Sequence, residues 1–162
     1  MKTDLLIIGS GPGGYRAAGY AARNGLSVVV AERDQAGGTC LNAGCIPTKC
    51  LAHDASAAPS DFASAMERKA LVTQQLRTGV EQLLSAPGIT LVKGQAAFTD
   101  AHTVTIGDTT VEADNIIIAT GSESRMPPIT GIDNPRVITS TEALQLQSLP
   151  ETMVIVGAGV IG

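Results

Sequence analysis

After Met1-Lys2-Thr3-Asp4 the chain runs Leu5-Leu6-Ile7-Ile8 without polar alternation. A continuous apolar run predicts a parallel strand covered on both faces. It leads through Gly9-Ser10-Gly11-Pro12-Gly13-Gly14 into a small-residue helix carrying Ala17, Ala18, Ala21 and Ala22, with a stop at Asn24-Gly25. Ser27 to Ala31 predicts a second strand ending at Glu32, which completes a βαβ opening. The next helical stretch holds the cysteines and fades from Ala55 to a break at Pro59. Asp61 then caps a long amphipathic helix. In it Phe62, Met66, Val72, Leu76, Val80, Leu83 and Leu84 recur mostly at three- and four-residue steps, until Ala86-Pro87-Gly88 ends it.

Short strands follow at Ile89 to Val92, Ala96 to Phe98, Thr103 to Ile106 and Thr110 to Glu112, which together predict a β-meander. Asn115 to Ala119 returns to the buried parallel type and stops at Thr120-Gly121. Pro127, Pro128, Gly131 and Pro135 mark an irregular connector, followed by a short helix around Thr141 to Leu146. A last apolar strand, Met153 to Val156, runs into Gly157-Ala158-Gly159-Val160-Ile161-Gly162. The expected fold is α/β: a Rossmann-like domain over residues 1–150 with a parallel sheet and an inserted β-meander. Residues 151–162 are expected to be the first strand and glycine turn of a truncated nucleotide domain.

With 162 residues the chain can bury one sizeable core. Its 44% hydrophobic content, 18 glycines and 2% aromatics suit an α/β domain with close backbone approaches. A net charge of −4 with interspersed signs gives no basic stripe for nucleic acid. No apolar run reaches the ~20 residues of a membrane span. The first strand starts too near Met1 for a targeting peptide, so a cytoplasmic chain is expected. Three cysteines fit a reducing compartment in which disulfides are transient.

Gly9, Gly11 and Gly14 have the offsets of a dinucleotide fingerprint: a tight turn, close approach to a pyrophosphate, and helix-on-strand packing. Glu32, 23 residues after Gly9, ends the second strand, where a carboxylate can accept hydrogen bonds from ribose hydroxyls. It would repel a 2′-phosphate, leaving FAD or NAD. Gly157, Gly159 and Gly162 repeat the fingerprint, but a complete site needs the following helix.

Cys40 and Cys45 stand five residues apart behind this unit. On a regular helix their α-carbons would be ~8.6 Å apart, beyond the ~7 Å limit for a disulfide. A bridge needs distorted backbone, and Gly44 and Pro47 favour one. Two unrelated buried thiols, or half a zinc site, remain open from spacing alone, although zinc ligand pairs usually sit closer together. A disulfide can take electrons from a reduced flavin, so the pair favours FAD in the first site. Lys49 would put a cation near the flavin and the thiolate, lowering a thiol's pKa. Cys50 reads as a packed, inert thiol, and His53 and His102 as solvated histidines.

The stretch Gly-Gly-Thr-Cys-Leu-Asn-Ala-Gly-Cys-Ile-Pro-Thr-Lys, from Gly37 to Lys49, resembles the redox segment of the pyridine nucleotide-disulfide oxidoreductases. Within that family it most resembles the dihydrolipoyl (dihydrolipoamide) dehydrogenases. The opening glycine loop, Ile117 to Ser122, Ser140 to Leu144 and Met153 to Gly162 agree, so the resemblance spans essentially the whole chain. It implies a Cys40–Cys45 redox disulfide, with Cys40 exchanging with a lipoyl dithiol and Cys45 facing the flavin. It places Glu32 on the adenosine ribose, Arg33, Gly38 and Thr39 among the cofactor-binding residues, and Lys49 beside the flavin's reactive edge. Thr120, Gly121 and Ser122 would lie along FAD, and Ala96 would stand where relatives often have an adenine-contacting glycine. The loop from Glu32 to Gly37 is about one residue shorter than in some relatives, which should alter its shape more than its chemistry.

The implied activity is FAD-dependent oxidation of dihydrolipoamide with reduction of NAD. The implied partners are the lipoyl domain of a 2-oxoacid dehydrogenase or related complex, and a second copy in a full-length homodimer. Neither nucleic acid nor membrane is implied. The family's acid/base histidine belongs to a C-terminal domain of the partner subunit, so the fragment alone is expected to be inactive. Two other readings stay open: a related flavoprotein reducing a small disulfide or metal ion, as glutathione and mercuric reductases do, and a non-catalytic flavin-binding module.

Overall fold

The computed structural model describes residues 1–57 and 61–162, so the break expected at Pro59 lies outside the described residues. The opening forms as the apolar pattern predicts: β1 (Lys2–Ile8), α1 (Pro12–Arg23) and β2 (Val28–Glu32). Leu5, Leu6, Ile7 and Ile8 alternate between the two faces of a six-stranded sheet. Leu5 and Ile7 pack with Ala18 and Ala21 of α1 and with Val80 and Leu84 further along the chain. Leu6 and Ile8 pack instead with Val104, Ile106 and Val111 on the other face.

The cysteine segment is two helices rather than one: α2 (Gly38–Asn42) and α3 (Cys45–Ala57), parted at Ala43-Gly44. Asp61 Oδ1 accepts the Ser64 amide at 2.9 Å and starts α4 (Phe62–Leu84). The expected apolar stripe of α4 is buried in part, at Val80 and Leu84. Ala65, Thr73, Val80 and Leu84 are buried, whereas Leu76 and Leu83 are exposed. Val80 and Leu84 join the core cluster with Ala18 and Ala21 of α1.

The sheet order is β3-β2-β1-β6-β5-β4. β3 (Ile89–Lys93) lies parallel to β2, in register Val28 with Ile89, and so belongs to the parallel sheet rather than to the expected meander. The meander is β4 (Ala96–Phe98), β5 (Thr103–Ile106) and β6 (Thr109–Ile118). The strands expected at Thr110 to Glu112 and Asn115 to Ala119 are one. β6 pairs antiparallel with β5 from Thr109 to Glu112 and parallel with β1 from Glu112 to Ile118. Its expected two-sided burial fails at Ile117 and Ile118, which stand exposed.

Beyond β6 comes an irregular stretch and α5 (Ser140–Ala143), shorter than expected and capped reciprocally by Thr139 and Glu142. Met153 to Val156 forms no strand and is exposed throughout. The glycine turn after it nevertheless repeats the first one. Gly157 has φ +124°, as Gly9 has +102°. A Cβ on Gly162 would meet the Gly157 carbonyl oxygen at 2.5 Å, as one on Gly14 would meet that of Gly9 at 1.8 Å. No described helix is long and apolar enough to cross a membrane.

Candidate active site

Strands β1 and β6 are neighbours, while the chain winds from β1 to β2 and β3 on the opposite side. Their carboxyl ends thus form a topological switch point, the expected ligand position in a doubly wound sheet. Gly9 sits there, and a Cβ on it would lie 2.3 Å from the Ala119 carbonyl oxygen at the end of β6. Gly14 packs α1 against Gly9. Gly11 is different: a Cβ there would meet only the Gly38 Cα, at 3.7 Å, so its bare backbone borders open space. Gly38, at φ +64°, faces it so closely that a Cβ would fall 2.7 Å from the Gly11 Cα.

Above this junction opens a cleft of about 810 Å³, within the ~300–1,000 Å³ of small-molecule and cofactor sites. Gly9, Gly11, Glu32, Arg33, Gly38, Thr39, Cys40, Ala96, Thr120, Gly121 and Ser122 all line it. Gly14 lies behind the wall as packing. Cys45, Lys49, Gly157, Gly159 and Gly162 are not part of the lining.

Glu32 is buried, and protein donors hold it more fully than its sequence position indicates. Its Oε2 accepts from the Ser10 amide at 2.9 Å and the Ser10 hydroxyl at 2.5 Å, and its Oε1 from the Asp34 amide at 2.9 Å. Burial pushes its pKa up. The Ser10 and Asp34 hydrogen bonds, with the Lys93 charge, outweigh that and hold it below the ordinary carboxylate value. A carboxylate offers about four lone-pair sites, so these three bonds leave room for one further donor from a ligand. Sequence reasoning missed Ser10, although its place between two fingerprint glycines was the available signal. It also missed Asp34, Gln35, Gly94 and Gln95, which reach the cleft through loops, and Glu142, which reaches it from α5. Arg33 pairs with Glu123 at 3.1 Å between two exposed side chains, a contact worth little in water.

The thiols sit at the break between α2 and α3. Ala43, at φ −148°, interrupts the helix, and Pro47, buried in the first turn of α3, has no amide for the Ala43 carbonyl. Gly44 passes so near the α2 backbone that a Cβ would meet the Thr39 carbonyl oxygen at 3.0 Å. The break leaves Cys40 in α2 and Cys45 at the start of α3, with all three cysteines unbridged in this structure. The Cys40 pKa is raised above the ordinary thiol value: its neighbour Cys45, then burial, push it up, and the Lys49 charge opposes them. Cys50 is buried as expected. His53 and His102 are exposed; His53 lies beside Asp54, and His102 Nδ1 is 3.1 Å from the Ala113 carbonyl. No group of three or more metal-ligating side chains forms among the described residues.

Residues 3–162 match the protein family described as pyridine nucleotide-disulphide oxidoreductase. The chain belongs to this family. Membership makes it a flavoprotein-type oxidoreductase and implies FAD as the cofactor, and the cleft fits that group in volume, in its bare Gly11 backbone and in its buried carboxylate. Among curated relatives, dihydrolipoyl dehydrogenase 2 of Haloarcula marismortui is 42% identical, over 99% of this chain and 39% of the relative. Dihydrolipoyl dehydrogenase of Pseudomonas aeruginosa is 39% identical, over 100% of this chain and 40% of the relative. The oxidoreductase chain thus spans about two fifths of their length. Among solved structures, the Cu(II) complex of the HOCl-induced flavoprotein disulfide reductase RclA from Escherichia coli superposes with a TM-score of 0.88 at 38% identity. That match covers 93% of this chain and 36% of the other.

Proposed function

We propose that this chain is the FAD-binding, dithiol-carrying part of a dihydrolipoyl dehydrogenase. In this reading residues 1–150 form the FAD domain and residues 151–162 open the NAD domain. The observation that carries it is the helix break that sets Cys40 and Cys45 on either side of it, with Cys40 in the wall of the cofactor cleft. Gly11, Gly38, Glu32 and Thr120 to Ser122 would hold FAD, which when bound supplies a two-electron acceptor for the thiol pair.

The chain's own chemistry is thiol–disulfide exchange. With Cys40 and Cys45 oxidised, one thiolate of a substrate dithiol attacks Cys40 Sγ, and Cys45 leaves as a thiolate. Lys49 stabilises that charge. The second substrate thiol, losing its proton, attacks the mixed disulfide and releases Cys40. The substrate leaves as a disulfide, and two electrons have passed to the cysteine pair. NAD as final acceptor, a lipoyl domain as partner and a homodimer of the full-length protein belong to the same proposal. The likeness to RclA favours a second reading, a flavoprotein disulfide reductase working in the opposite direction.

Reconstituting the purified chain with FAD or with NAD, followed by flavin absorbance and calorimetry, tests the proposal. FAD should bind in preference, and Glu32→Ala should weaken it by about 1.5–3 kcal/mol, the range for hydrogen bonds to a charged group. Tight NAD binding without flavin uptake would overturn it.

A further inference from the structure

A second cavity, of about 380 Å³, lies between α4, the α2 region and the α5 segment. Lys69, Thr73 and Arg77 line it at four-residue steps, on one face of α4. Gln35, Asn42 and Gln74 add amides, and no Asp or Glu is in the lining. Both cations are half-buried, and neither forms a salt bridge among the described residues. The three residues outside the description, 58–60, carry no carboxylate.

Lys69 Nζ donates to the Leu144 carbonyl at 2.6 Å, and Arg77 Nε to Asn42 Oδ1 at 2.9 Å. The remaining ammonium protons and the terminal guanidinium nitrogens have no partner among the described residues. Burial pushes the Lys69 pKa down, as for a charge short of compensation. Between the two cations, the buried Thr73 hydroxyl has no hydrogen-bond partner among the described residues. Leaving a buried hydroxyl and two partly buried cations unanswered is unfavourable.

We propose that this cavity is an anion site, beside the cofactor cleft and sharing Gln35, Asn42 and Thr141 with it, that takes a small phosphate ester with its phosphate at Lys69, Thr73 and Arg77. A tetrahedral phosphate presents oxygens in three dimensions and can accept from an ammonium, a hydroxyl and a guanidinium together, whereas a carboxylate's two oxygens lie in one plane. The cavity exceeds a lone phosphate. Its amide side, at Gln35, Asn42 and Gln74, suits a polar, sugar-sized body.

Calorimetric titration of the chain, with and without FAD, by inorganic phosphate and by glycerol 3-phosphate tests this. One saturable site is expected in both states. Arg77→Gln and Lys69→Gln should each weaken it about tenfold or more, in line with hydrogen bonds to charged groups. Thr73→Val separates a ligand role from a structural one, because it removes an unpartnered hydroxyl and keeps the shape. It should raise the melting temperature of the ligand-free protein while reducing the phosphate-induced rise. Absence of saturable binding, binding abolished by FAD, or binding unchanged in both Arg77→Gln and Thr73→Val would overturn the proposal.

Discussion

Ser10→Ala removes one hydroxyl from a position with no solvent exposure and changes little else in volume. The lost bond is the 2.5 Å contact to the buried Glu32 carboxylate, while the Ser10 amide at 2.9 Å remains. Hydrogen bonds to charged groups contribute about 1.5–3 kcal/mol. For a chain of this size, that corresponds to a melting temperature about 3–12 °C lower. The loss should depend on pH. Wild-type Glu32 has a lowered folded-state pKa, so its stabilisation is complete above the unfolded value of about 4.3 and fades as pH falls through the lower folded value. In the variant, burial still pushes the pKa up while one opposing bond is gone, so the folded pKa rises. The stability gap between wild type and variant should be widest at neutral pH and narrow below about pH 4. Urea unfolding of both proteins across this range measures it. An equal gap at every pH would show that the hydroxyl acts through packing and that the account of Glu32 is wrong.

The two fingerprint glycines should fail differently. Gly11→Ala should abolish flavin uptake with little loss of stability, whereas Gly14→Ala, whose Cβ would stand 1.8 Å from the Gly9 carbonyl oxygen, should unfold the domain's opening; near-identical melting of both variants would contradict this. Thiol titration of the oxidised, denatured chain should find one free thiol, rising to three on reduction, and peptide mapping should join Cys40 to Cys45 rather than Cys50. If the dihydrolipoyl dehydrogenase reading holds, the FAD-loaded chain, which spans about two fifths of its relatives, should not turn over dihydrolipoamide with NAD, since a general acid/base typically contributes ~10²–10⁴-fold. Equal steady-state NADH formation by this chain and by a version extended past Gly162 would refute that.

The sequence by itself determined the βαβ opening, the glycine turn, the acid at the end of β2, the helix break at the cysteines and the Asp61 cap. Each depends on residues close together in the chain: the alternation or continuity of apolar positions, glycine offsets, a proline lacking its amide. Tertiary structure decided where β3 pairs, because an edge position depends on a partner some sixty residues away in register, Val28 with Ile89. It also decided that β6 is one strand serving two neighbours, since a change of pairing direction at Glu112 leaves no mark on local periodicity. The buried face of α4 and the three donors around Glu32 likewise followed from which surfaces met. A hydrophobic stripe states that a helix can be buried, but its neighbours select which residues are, and in α4 they covered Val80 and Leu84 together with Ala65 and Thr73 while leaving Leu76 and Leu83 exposed.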